Sequence, residues 1–282
     1  MPPALEKLDT DNPSSTRSLL LRFVSAVILI PLVLIAVHQG GRIFAAMVAF
    51  ACIVMIFEWT RMVERKECSA SFYALALGAT AAMFFAPSGQ YSLAFLLCAL
   101  SGLAAFFLAK RSGGVGFWPA LAALYILIPS VALMWLRLDA PGGRGLTFML
   151  YFIVWAADSG AFVTGKLIGG PKISHALSPS KTWAGIGGGV VGGSIIGAAA
   201  AYLFFGPGAA WAYFMLGGVL GAASVAGDLA ESAVKRNFGL KDISGFIPGH
   251  GGALDRMDGM IFATSAMTSA YFLYMLLGKL QG

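Results

Sequence analysis

The chain has 282 residues, 58% of them hydrophobic and only 11% charged, against about 25% charged in a soluble domain, which excludes a soluble globular fold. Length alone would suggest two domains, but apolar runs of about 20 residues, enough to span a bilayer, override that prior. Nineteen Lys and Arg against thirteen Asp and Glu give a net charge of +6; with no soluble basic domain to carry it, that excess points to membrane-side loops and anionic headgroups and away from nucleic acid.

Residues 1–17 are polar and rich in Pro and Ser, and read as a short disordered tail. A cleavable signal peptide is not expected, because Glu6, Asp9 and Asp11 precede an apolar run too long for a signal h-region. The rest, 18–282, reads as one membrane-embedded domain. Nine spans are predicted, at about 18–38, 42–60, 69–87, 91–109, 117–136, 147–167, 183–205, 209–230 and 258–277. Runs this long and without alternation predict an all-α polytopic bundle and not a β-barrel. Cys52 and Cys98 fall inside apolar runs and read as buried small hydrophobes; with Cys68 they form no CxxC pair, disulfide framework or zinc site.

Nine spans put the N-terminus and the even-numbered loops on one side. That side collects fifteen Lys and Arg, and the other side four: Arg42, Arg137, Arg144 and Lys279. The positive-inside rule then places the N-terminus and the charged loops in the cytoplasm and the C-terminus outside.

The second span ends on Phe57-Glu58-Trp59. Glu58 is either an interfacial acid paired with Arg61 or Arg22, or a residue that approaches a site formed elsewhere. His38 and His175 have no ligand partner in sequence. Chemistry concentrates in 147–282. Asp158 lies in the cytoplasmic half of the sixth span, followed by Gly165-Lys166. Then comes Ser178-Pro179-Ser180-Lys181-Thr182, a helix-breaking polar loop whose Ser178, Lys181 and Thr182 suit phosphate oxygens. The next span carries Gly187-x-Gly189-x-x-Gly192, which matches a dinucleotide fingerprint but follows no strand. Its glycines at 185, 189, 193 and 197 read better as a close-packing helix face, within this chain or across a homodimer.

The eighth span ends on Asp228 and Glu231, three apart on one helix face. The ninth opens on Asp255 and Asp258 with the same spacing, so four acids converge at one depth. Between them lie Lys235, Arg236, Lys241, Asp242 and Pro248-Gly249-His250-Gly251-Gly252, with Arg256 just beyond. A charged loop between spans is often only topogenic. That explains the cations, but neither the Asp255-x-x-Asp258 pair nor the packed glycines. Carboxylates beside basic residues and a glycine-rich loop suit a metal-bound phosphate substrate, because glycine lets backbone N–H groups approach an anion.

Ser232-x-Val234-Lys235-Arg236, Lys241-Asp242, Pro248-x-His250-Gly251-Gly252 and Asp255-Arg256-x-Asp258 resemble the signature of the phosphatidate cytidylyltransferases (CDP-diacylglycerol synthases). The upstream Asp158 and Ser178–Thr182 segments resemble a second motif of that family. Three positions depart from the pattern: Ala253 stands for a larger apolar residue, Phe162 for a hydroxylated aromatic, and Ala184 for a Glu. The resemblance implies CTP and phosphatidate as substrates and CDP-diacylglycerol and pyrophosphate as products, with Mg²⁺, alone or beside a second cation. It implies Asp228, Asp255 and Asp258 as metal ligands. Lys235, Arg236, Lys241 and Arg256 would hold phosphates, with Asp242 and His250 in the same catalytic loop. Asp158, Lys166, Ser178, Lys181, Thr182, Gly251 and Gly252 would line the substrate site. Two other readings use the same residue types: a CTP-dependent lipid or polyprenol kinase, and an ion-coupled transporter with a charge relay through Asp158, Asp228 and Glu231. The transporter would need inverted repeats, and 18–136 holds no counterpart to the chemistry of 158–258.

Overall fold

The structure is a computed structural model that describes residues 15–174, 178–241, 243–244 and 251–280. Its described part is helical apart from one small hairpin. In chain order the elements are α1 (Ser15–Gln39), α2 (Gly41–Glu64), α3 (Ala70–Phe85), α4 (Tyr91–Arg111), α5 (Phe117–Leu138), α6 (Gly143–Leu167), β1 (Lys172–Ser174), β2 (Ser178–Thr182), α7 (Trp183–Phe205), α8 (Ala210–Asn237) and α9 (Leu254–Leu280). Helices α2 to α9 are long and apolar enough to cross a membrane, and the described apolar part of α1, Phe23–Gln39, is shorter. The expected all-α polytopic fold is therefore the observed one.

Helix ends follow local chemistry. Ser69 caps α3 by accepting from the Phe72 N–H at 3.1 Å, and Thr182 caps α7 by accepting from the Gly185 N–H at 3.1 Å. Helix α2 stops at Arg65, whose φ of 56° is left-handed. Helix α5 is widened by a π-turn over Ala123–Leu127. The hairpin was not anticipated: β1 and β2 pair antiparallel, Lys172 opposite Thr182 and Ser174 opposite Ser178. Strands of three and five residues give no usable periodicity.

Chain direction alternates, and contacts mark the two ends of the bundle. At one end the Trp59 indole N–H donates to the Trp118 carbonyl at 2.8 Å. Trp118 packs edge-on against Phe238 at 5.0 Å, and Arg65 donates to the Phe238 carbonyl. At the other end Arg137 donates to the Val37 carbonyl at 2.6 Å, and the Tyr271 hydroxyl to the Pro141 carbonyl at 3.1 Å. The first end gathers the turns after α2, α4, α6 and α8, where the sequence concentrates Lys and Arg. Cys52 and Cys98 are buried, as expected, and Cys68 is exposed.

Helix α7 is the most glycine-dependent element, and its small face is used inside the chain. A Cβ on Gly189 would meet the Ala157 carbonyl of α6 at 3.2 Å, and one on Gly192 the Ala156 carbonyl at 2.8 Å. On the opposite flank, a Cβ on Gly193 would meet the Gly217 carbonyl of α8 at 2.5 Å, and one on Gly197 the Tyr213 carbonyl at 2.5 Å. Backbone thus lies against backbone on both sides, the close approach small residues permit between membrane helices. Of the two readings of this stripe, the intrachain one accounts for it.

Candidate active site

At the end of the bundle where Lys and Arg concentrate, α6, the β1–β2 hairpin, α7, α8 and α9 come together. A cavity of about 570 Å³ opens there, lined among others by Asp158, Phe162, Lys166, Lys181, Asp228, Asp255, Arg256 and Asp258. Helix α8 runs two turns beyond the predicted end of the eighth span, to Asn237, and α9 starts four residues before the predicted ninth, at Leu254. Both extensions are polar, which is why an apolar count stops short. They place Lys235 and Arg236 on a helix, and Asp255 in the first turn of another.

The two helices cross very closely. A Cβ on Gly227 would collide with the Asp258 carbonyl, and one on Gly259 with Ser224. That crossing sets the acids side by side. The Lys235 ammonium lies 2.6 Å from Asp255 Oδ1 and 3.4 Å from Glu231 Oε2. Across the cavity, the Lys181 ammonium reaches from β2 to Asp228 Oδ2 at 2.8 Å. Asp158 of α6 accepts from the Ser224 hydroxyl at 3.3 Å. Asp258 is 5% exposed and accepts from the Gly259 N–H at 2.7 Å. Glu231 is 2% exposed, and its Oε1 is buried with no hydrogen-bond partner.

Charge makes this arrangement expectant. Asp158, Asp228, Glu231, Asp255 and Asp258 face Lys166, Lys181, Lys235 and Arg256, so carboxylates outnumber cations. A buried carboxylate oxygen without a donor costs free energy until a cation or a proton reaches it. Among the described residues no three acids close on one point as a ready metal shell. Ammonium groups stand instead against Asp228 and Asp255, so both carboxylates already bind cations. A hard divalent ion held by a few carboxylates together with substrate phosphates fits such a donor set.

Several expected site residues have identifiable local partners. Thr182 is buried and its hydroxyl caps α7. Ser178 lies in β2 with its hydroxyl 3.5 Å from that of Ser180, which lines the cavity, while Ser178 itself stands just behind the lining. The Gly252 N–H points at Asp255 Oδ2 at 3.4 Å, and Gly251 has a φ of +87°, a conformation that favours glycine. Lys166 lies at the cavity rim over the Phe162 ring, 5.9 Å from its centre. Arg236 and Lys241 are exposed near the same end. Ala184 occupies the first turn of α7, and its carbonyl accepts from Thr164 at 3.0 Å. Asp242, His250 and His175 lie outside the described residues.

The model of the cytidylyltransferase family matches residues 20–276. The chain belongs to that family. It is 33% identical over 249 residues to a phosphatidate cytidylyltransferase of Brucella suis, covering 87% of this chain and 90% of the relative. Proteins of the same name from Haemophilus influenzae and Pseudomonas aeruginosa are each 33% identical, over 89% and 86% of this chain and 98% and 93% of theirs. As a member of a cytidylyltransferase family with this lining, the chain is a membrane-embedded nucleotidyltransferase.

One contributor escaped the sequence reading of this cytidylyltransferase. Ser224 sits inside an apolar span and nothing in the pattern singles it out. Glu231 was visible as one of four converging acids, but its burial against Lys235 was not. Glu58 does approach the site, and Arg61 pairs with Glu67 at 3.7 Å instead; the Arg22 side chain lies outside the described ones.

Proposed function

We propose that this chain makes CDP-diacylglycerol and pyrophosphate from CTP and phosphatidate, the activity for which its relatives are named, at the cytoplasmic face of a bacterial plasma membrane. The observation that carries this reading is the cavity at the basic end of the bundle, where carboxylates and ammonium groups are paired beside exposed apolar side chains. Phe162 lines the cavity and is 69% exposed, and Leu167 and Trp183 nearby are 79% and 60% exposed. A lipid phosphate with its chains in the bilayer matches such a polar pocket with an apolar rim.

The reaction is an in-line exchange at phosphorus. A phosphatidate oxygen forms a bond to the α-phosphorus of CTP, the bond from that phosphorus to the bridging α–β oxygen breaks, and pyrophosphate leaves with the electron pair. The attacking oxygen is already ionised at neutral pH, so no general base is required. Positioning and charge neutralisation then carry the rate. Lys181, Lys166 and Arg256 hold phosphate oxygens in the cavity, and Lys235 fixes Asp255 from behind. Ser224 orients Asp158 on the α6 wall. Asp228, Asp255 and Asp258 would hold Mg²⁺, with or without a second cation, and the ion supplies charge neutralisation on the phosphates.

Purified protein in detergent, given CTP, Mg²⁺ and phosphatidate, should release pyrophosphate only when all three are present. Turnover with diacylglycerol in place of phosphatidate, with CDP as product, would instead support the kinase reading.

A further inference from the structure

We infer that Glu58 is a positioning residue for the reaction proposed above: it caps α9 from another helix and so leaves Asp255 free to serve the active site. The inference rests on that proposed reaction for its kinetic test and on geometry for its structural one.

A helix N-terminus leaves backbone N–H groups without intrahelical partners, and an acidic residue in the first turn or just before it ordinarily satisfies them. Helix α9 has a small residue, Ala253, immediately before it, and Asp255 is the acid of its first turn. Asp255 makes only a long contact of this kind, 3.4 Å to the Gly252 N–H, while its Oδ1 is committed to Lys235 at 2.6 Å. The capping comes from Glu58, 195 residues earlier in the chain. Glu58 Oε2 accepts from the Leu254 N–H at 2.7 Å, and Oε1 from the Ala253 N–H at 3.0 Å and from the Ser244 hydroxyl. The side chain is fully buried, at 0% exposure.

The other end of this connection is anchored. Trp59, the next residue, anchors α2 to α5 through the Trp118 carbonyl at 2.8 Å. Gly252 packs tightly against both carboxylates: a Cβ there would stand 3.1 Å from Glu58 Oε2 and 3.2 Å from Asp255 Oδ2. Glu58 therefore fixes the first turn of α9 in register with α2, that turn aims Asp255 at Lys235, and Lys235 in turn meets Glu231. Glu58 itself is absent from the cavity lining, so it acts through these neighbours.

Glu58→Gln keeps the shape but sets an NH₂ group against backbone N–H donors. Glu64→Gln is the control: Glu64 lies on the same helix and accepts from the Ser69 and Ser71 hydroxyls at 2.6 and 3.1 Å, away from α9. Purified variants are assayed with CTP, Mg²⁺ and phosphatidate. Glu58→Gln should lower kcat by about 10²-fold, the cost of misplacing a reacting constellation by about 1 Å, with KM for phosphatidate unchanged. Glu64→Gln should lower Tm and leave kcat at the wild-type value. Ser244→Ala, which removes a single donor, should lower kcat less than Glu58→Gln at unchanged Tm. A wild-type kcat in Glu58→Gln, or kcat falling in step with Tm in both glutamine variants, overturns the inference. Amide hydrogen exchange reads the same contact without turnover: the N–H groups of Ala253 and Leu254 should lose protection in Glu58→Gln and keep it in Glu64→Gln. Equal protection in both overturns the capping role. A wild-type protein that turns over no CTP with phosphatidate counts against the proposed reaction alone, and the exchange experiment still decides the cap.

Discussion

Two alanine substitutions on one helix should have opposite effects. A Cβ on Gly193 would sit 2.5 Å from the Gly217 carbonyl oxygen, where ordinary contact begins at 3.4 Å. Helix α8 must then retreat by roughly 0.9 Å at that crossing, or the carbonyl must tilt out of its helix, and overpacking of this kind costs about 1–3 kcal/mol. At about 2–4 °C per kcal/mol for a chain near this size, Gly193→Ala should melt roughly 2–12 °C below wild type. Gly187 lies six residues earlier on α7 and is exposed, with nothing within 4 Å of its would-be Cβ. Gly187→Ala removes backbone freedom from the unfolded chain at no steric cost, and should leave Tm unchanged or raise it, by up to about 1 kcal/mol equivalent. The assay is thermal unfolding of the detergent-solubilised protein, followed by tryptophan fluorescence at one detergent concentration. Equal Tm values for the two variants would refute the claim that the glycine face of α7 is an intrachain packing surface. Gly193→Leu, with its larger side chain, should be worse than Gly193→Ala.

Other outcomes follow from the same geometry. Asp255→Asn keeps shape and removes charge; it should abolish turnover while the protein still inserts in the membrane and extracts normally, and near-normal activity at saturating Mg²⁺ would remove Asp255 from the site. Thr182→Ala should lower Tm by the loss of one N-cap, about 1 kcal/mol, whereas Thr182→Ser should retain most of it; equal loss in both would argue against capping. Reporter fusions after Gly282 and within 236–246 should read opposite sides of the membrane, and two cytoplasmic readings would contradict the proposed topology.

Much of the fold is legible in the sequence, because a spanning helix must be a long apolar run and few other structures are allowed in lipid. The span at 183–205 coincides with α7, since a Pro-containing polar loop precedes it and Gly206-Pro207 follows. Helices α8 and α9 reach beyond their apolar counts because their added turns carry Glu231, Lys235, Arg236 and Asp255. Hydropathy fails at the cavity, because polar residues on a helix face cannot be told from a loop by composition. The convergence of the four acids was legible from the two i, i+3 pairs. Which cation meets which acid was not, because Lys181 reaches Asp228 from a hairpin too short to show a pattern. Glu58 illustrates the limit: its partners lie 186 to 196 residues away, and no local spacing encodes such a pairing.

The central claim is attack on the α-phosphorus of CTP by a lipid phosphate. A metal site with basic residues does not by itself select the phosphorus, since attack on the γ-phosphorus uses the same ion and the same in-line geometry. The position of an isotope does select it. With phosphatidate and CTP labelled at the α-phosphorus, label should enter the lipid fraction, and with γ-labelled CTP it should leave as pyrophosphate. Transfer of label from the γ position into lipid, or no lipid labelling from either position, would contradict the account.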